Sequence, residues 1–146
     1  MFVKDFMSQD VQTCHASTPA DDAWTQMRVK RIHHLVVTAM GRVLGVVSER
    51  DLGGPRGYAL RNGRRVEDLM SKQPMVADPM TTLRQAAQMM RGRGVGCLPV
   101  FTGRKLVGIV TTSDLLGLIA RGQTIERPAR RRAVEATATP ARAGVS

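Results

Sequence analysis

Apolar and polar positions along this chain follow one pattern twice. In the second half, Leu83, Ala86, Ala87 and Met90 stand at i, i+3, i+4 and i+7, one face of a helix. That spacing predicts a helix over about residues 82–93, with Thr82 or its neighbour Thr81 as N-cap. A matching helix is predicted over about residues 19–30. Two β-rich runs follow each helix: "HLVV" (34–37) and "VLGVV" (43–47), then "CLPV" (97–100) and "KLVGIV" (105–110). The segments "MGR" and "TGRK" between them read as hairpin turns. Ahead of each helix lie a lead-in, "VKDFMS" or "VEDLMS", and a brief apolar stretch, around residues 11–13 and 75–77. A last helix is predicted after the second run, reaching about residue 120 in the second half and cut short by "GGPRG" (53–57) in the first.

The two halves are copies. Shifted by 63 positions, residues 3–52 lie over 66–115 without a gap, and fourteen of the fifty pairs are identical. An internal repeat of that strength governs every local reading. Each copy runs strand, helix, strand, strand, helix. The chain therefore divides into a first unit (1–57), a basic linker (58–65), a second unit (66–120) and a basic tail (121–146), expected to be disordered apart from a helical turn around residues 129–136.

The copies share one short motif. "GVVSERDL" (45–52) and "GIVTTSDL" (108–115) both place an aspartate three residues after a hydroxyl. Locally this is a capping box with Asp in place of Glu, Ser48 with Asp51 and Thr111 with Asp114. The same geometry also suits a ligand. A helix start offers unpaired N–H groups to phosphate, and an aspartate beside it can accept from ribose hydroxyls. Gly45 and Gly108 let something press close to the strand. The two readings differ only in where the side chains point.

The duplicated α+β unit, βαββα with Gly-apolar-x-Ser/Thr-x-x-Asp closing the second strand, resembles a tandem pair of cystathionine-β-synthase (CBS) domains, a Bateman module. "DFMS"/"DLMS" and "HLVV"/"CLPV" also resemble that family, and the likeness covers about residues 1–120. It implies two units packed with pseudo-twofold symmetry, two clefts between them, and regulatory binding of adenine nucleotides (AMP, ADP, ATP) or S-adenosylmethionine without any required cofactor. It implies that Asp51 and Asp114 hold ribose. Ser48, Arg50, Thr111 and Thr112 would meet ribose or phosphate. Adenine would lie against Thr13 and Met75 and the strands carrying Leu35, Leu98 and Pro99. Arg31, His33 and His34 would meet phosphate. Unit two has Gly94, Gly96 and Cys97 at the corresponding places, so unequal sites are expected. Val36 stands where unit two has Pro99, the residue usual in the family, which implies a less well-read adenine edge in unit one. The resemblance further implies a homodimer, a stand-alone regulatory role toward an unidentified protein, and no enzymatic activity.

Composition adds three constraints. Only five residues are aromatic, so the core must be aliphatic, filled by Val, Leu, Ile and nine Met, and base-stacking platforms for nucleic acid are excluded. Cys14 and Cys97 form no disulfide framework; they read as small buried residues, and a reducing cytoplasm is expected. No apolar run is long enough to span a bilayer and no secretory signal is expected. The net charge of +10 divides into +6 over residues 1–120 and +4 over 121–146. The arginines at and just before the linker (Arg56, Arg61, Arg64, Arg65) and the "RPARRR" tail therefore read either as solvated segments or as a nucleic-acid contact. His33–His34 with Cys14–His15 matches no familiar zinc spacing, so no metal is expected. No Walker loop, nucleophile elbow, His-Glu-x-x-His or Cys-x-x-Cys is present. Trp24 is expected at a contact between units or chains.

Overall fold

The computed structural model describes residues 1–123; the tail readings at 124–146 lie outside the described residues. The elements in chain order are β1 (Thr13–His15), α1 (Ala20–Lys30), β2 (His34–Ala39), β3 (Arg42–Ser48), α2 (Tyr58–Arg61), α3 (Val66–Leu69), β4 (Ser71–Lys72), α4 (Leu83–Arg93), β5 (Cys97–Thr102), β6 (Lys105–Thr111) and α5 (Thr112–Ala120). Short 3-10 turns stand at Val3–Asp5 and Gly54–Arg56. The fold is α+β, as expected.

Local chemistry explains the helix ends. The Thr82 hydroxyl accepts from the Gln85 N–H while the Gln85 side chain accepts from the Thr82 N–H, a complete capping box that opens α4. Gly94 closes α4 in the left-handed region. Its counterpart closing α1 is Arg31, a non-glycine residue at φ 57°. Asp21 and Asp22 in the first turn of α1, and Arg28 and Lys30 in the last, complement the helix dipole. The helix expected after Ser48 does not form; residues 49–53 are turns, because Gly53 and Gly54 both adopt positive φ and Pro55 follows.

The units exchange their lead-ins. One sheet has the order β1-β2-β3-β4, so a strand from unit two, β4, borders β3 of unit one. Reciprocally, Ser8 of unit one bridges Ile109 on β6, with hydrogen bonds of 2.9 Å in both directions. The segments preceding each bridge follow suit. The Val3 N–H donates to the Thr81 carbonyl, and the Val66 N–H to the Thr18 carbonyl. Val3 is fully buried in a core with Ala86, Leu98 and Val110, and Val66 in the other core with Ala23, Leu35 and Val47. A third apolar cluster, Val36 with Cys97 and Ile109, joins the units.

The motif glycines serve this exchange. A Cβ on Gly45 would overlap the Ser71 carbonyl oxygen, and one on Gly108 would lie 2.6 Å from Met7 Sδ and 3.0 Å from the Ser8 carbonyl oxygen. What presses close to each strand is thus the other unit's lead-in.

The linker is folded. Arg61 is only 4% exposed; it donates to Asp21 and to the carbonyls of Leu52 and Gly54. Its guanidinium lies 4.4 Å from the centre of the Trp24 ring. Trp24 therefore meets the linker, with Arg28 also over its ring. Among the described residues, no helix is long and apolar enough to cross a membrane.

Candidate functional site

Two clefts flank the joint between the units. The first, about 400 Å³, is lined by Ser48, Arg50 and Asp51 of unit one, with Met75 and the loop Gly94–Cys97 of unit two. The second, about 460 Å³, is lined by Thr111, Thr112 and Asp114 of unit two, with Gln12 and the loop Arg31–His34 of unit one. Each aspartate motif therefore faces the pre-strand loop of the opposite unit. The basic loop of unit one serves the motif of unit two, an arrangement that follows from the exchanged packing.

Both motifs are capping boxes in the structure. Asp51 Oδ2 accepts from the Ser48 N–H at 2.9 Å, and Asp114 Oδ2 from the Thr111 N–H at 2.8 Å. The hydroxyls return the bond, accepting from Asp51 N–H at 3.1 Å and Asp114 N–H at 3.3 Å. The cap bonds use one oxygen of each carboxylate, and both aspartates line a cleft, so the two readings of the motif are compatible. Only at Thr111 does a full helix, α5, follow.

His33 and His34 line both clefts and form part of the wall between them. His33 Nδ1 lies 2.9 Å from Glu49 Oε1. His34 Nε2 sits where only a glycine fits, 2.9 Å from the place a Cβ on Gly96 would occupy. Burial lowers the pKa of His34, reinforced by the neighbouring His33 and opposed by Asp51 and Glu49. Burial pushes the Cys97 thiol up to about 12, aided by the Asp51 charge, so this residue is a small uncharged part of the wall. Cys14 is raised to about 11 by burial. Among the described residues no group of three or more His, Cys, Asp or Glu is arranged to hold a metal ion.

Not every expected site residue reaches a cleft surface. Leu35 and Leu98 are fully buried, each in its own unit's core. Pro99 is fully buried, and Thr13 is exposed, with its carbonyl accepting from Gln26. Pro99 matters through what it lacks. In unit one the Val36 N–H donates to the Gln12 carbonyl at 3.1 Å; proline cannot make the equivalent bond to Met75. Unit two accordingly keeps only a single bridge, Ala77 to Val100, where unit one has all of β1. The Met75 carbonyl, on a residue lining the Asp51 cleft, is thereby free of that strand bond.

Sequence reasoning missed several cleft residues: Glu49, Ser71 and Pro74 in the first, Ser8, Asp10 and Gln12 in the second. The repeated lead-ins were the available signal, but the 63-residue offset does not say that they cross over.

A family model described as CBS domain matches residues 3–52 and 66–121. A CBS domain-containing protein of Dictyostelium discoideum is 30% identical over 134 residues, covering 83% of this chain and 92% of that one. Homoserine O-acetyltransferases of Methanohalobium evestigatum and Methanohalophilus mahii are also 30% identical, but the chain spans only 24% and 25% of their lengths. A solved CBS domain pair in complex with 5′-methylthioadenosine and S-adenosyl-L-methionine superposes with a TM-score of 0.75 at 23% identity, over 84% of this chain and 98% of that one. CBSX2 in complex with AMP superposes at 0.70 with 29% identity, over 82% and 96%. Two matched segments, a matching pair fold and reciprocal lead-ins lead to one conclusion: the chain belongs to the CBS domain family, as a tandem pair.

Proposed function

We propose that this CBS pair is a regulatory rather than a catalytic module, which binds an adenine nucleotide or S-adenosylmethionine in its clefts and conveys occupancy to a partner protein. The observation that carries the reading is the convergence, in each of two clefts, of a capped aspartate from one unit and a loop from the other. The AMP complex of a 29% identical CBS protein supports the ligand class. Asp51 and Asp114 would accept from ribose hydroxyls, with the hydroxyls of Ser48, Thr111 and Thr112 beside them. Because each cleft is built from both units, a ligand that fits one relative setting of the units better than another shifts the balance between them. Two copies would pair through the exposed apolar residues of α5.

Calorimetric titration with AMP, ADP, ATP and S-adenosylmethionine tests the reading. Binding heat and a raised melting temperature are expected for at least one of them. Absence of both at millimolar concentrations of all four refutes it.

A further inference from the structure

The chain's pseudo-symmetry makes the two clefts a controlled comparison, since each position in one has a counterpart 63 residues away in the other. The backbone frame matches: the Glu49 N–H donates to the His33 carbonyl, and the Thr112 N–H to the Gly96 carbonyl, both at 3.0 Å. The side chains on that frame differ. Arg31, His33, Glu49 and Arg50 correspond to Gly94, Gly96, Thr112 and Ser113. Every charged or imidazole group at these four positions comes from unit one.

Because motif and loop come from opposite units, this difference is distributed crosswise. In the Asp114 cleft, the hydroxyl residues Thr112 and Ser113 stand at the start of a nine-residue helix and share the cleft with Arg31 and His33. Hydrogen-bond donors and the positive helix end thus flank one space. In the Asp51 cleft, a carboxylate, Glu49, takes the place of Thr112, and a turn takes the place of the helix. The loop there is Gly94 to Cys97, without a charge, beside Met75 and Pro74. Two groups oppose the contrast. Arg50 adjoins Glu49 and offsets its charge, and Asp10 on the second cleft offsets part of Arg31. His33 lines both clefts and the Thr112 hydroxyl donates to the Gly96 carbonyl at 3.3 Å, so neither separates them. The difference that survives is Arg31, the Ser113 hydroxyl and a helix start on one side, against Glu49 beside Arg50, with no helix start, on the other.

We propose that the two clefts sort adenosine compounds by phosphate: the Asp114 cleft takes a phosphorylated nucleotide, its phosphate held by Arg31 and by Ser113 at the start of α5, and the Asp51 cleft takes an adenosine compound without phosphate. The proposal rests on the ligand reading above. Met75, whose carbonyl lacks the strand bond that Gln12 makes, lines the Asp51 cleft, where an acceptor for an adenine amino group matters more in the absence of a phosphate anchor. Arg31 occupies a left-handed position that glycine fills without strain in unit two, so the chain holds a cation there against its backbone preference.

The test titrates the whole chain with AMP and with adenosine, in the Asp51→Asn and Asp114→Asn variants, each of which keeps a capping oxygen. With the Asp114 cleft intact (Asp51→Asn), AMP is expected to bind about tenfold or more tightly than adenosine. With the Asp51 cleft intact, adenosine is expected to bind at least as well as AMP. Adding Arg31→Gln to Asp51→Asn should cut the AMP-to-adenosine affinity ratio about tenfold. Should a variant melt early, the unaltered chain answers the question by competition: with AMP only sufficient to fill its tighter site, adenosine heat persists at the other site. Equal ratios in both clefts, or AMP preference in the Asp51 cleft, overturn the sorting and leave the nucleotide reading intact. A chain that binds neither AMP nor adenosine, nor any ligand of the earlier titration, loses both.

Discussion

At the scale of single residues, the chain reuses the same atoms for folding and for binding. Asp114 caps α5 through one oxygen and also lines the second cleft, where the proposed role needs its other oxygen. Substitution can separate the two roles. Asp114→Ala removes the cap and is expected to lower stability by about 1 kcal/mol, and to weaken ligand binding at that cleft by about 1–3 kcal/mol. Asp114→Asn keeps an oxygen acceptor for the Thr111 N–H, so its melting temperature should stay near that of the unaltered chain while ligand affinity still falls. Thermal melts paired with calorimetry read both; an Asn variant that binds as before would leave Asp114 a cap only. These two capping boxes were legible in the sequence, because caps depend on residues three apart; at α4 the sequence offered Thr82 or Thr81 as N-cap, and the Gln85 partner came from the structure. Glu49 was not legible. Its meaning depends on His33, sixteen residues away and brought to 2.9 Å only by the β2–β3 hairpin.

At the scale of elements, the 63-residue offset announced two copies of one pattern, and the two hairpins repeat even to an irregularity in register, after Val37 in one and after Val100 in the other. The repeat could not show which copy a lead-in joins, since both alternatives bury the same residue types. Gly45 and Gly108 carry the answer in their lack of a side chain. Gly45→Ala should destabilise the fold by about 1–3 kcal/mol, because the new methyl meets the Ser71 backbone, which cannot swing aside. Gly108→Ala should cost less, because its nearest neighbour is the end of the flexible Met7 side chain. Urea melts of the two variants check the order; a greater loss at Gly108 would contradict this account of the packing. The linker was legible as glycine-rich and basic, but Arg61 shows the limit of composition. Its charge is committed to Asp21, two carbonyls and Trp24, so it adds little to any basic surface.

At the scale of the whole molecule, Leu116 (61% exposed) and Ile119 (56% exposed) stand three residues apart on α5, an apolar strip that a second copy would cover. If α5 forms the proposed contact between chains, sedimentation should show a dimer, and Leu116→Arg should shift it to monomer without lowering the melting temperature of the separated chain. A monomer at high concentration in the unaltered protein would rule out the pairing. The exchanged lead-ins also bear on ancestry. A primordial gene encoding one 63-residue copy would have produced a chain whose opening segment had no place on its own sheet. It would have needed a sister chain to receive that segment and to return one. Such a peptide would have been born as an obligate twofold pair, and its tandem fusion would have converted a concentration-dependent partnership into a permanent one. Only after fusion could the halves mutate separately, and a charge such as Arg31 arise in one without appearing in the other.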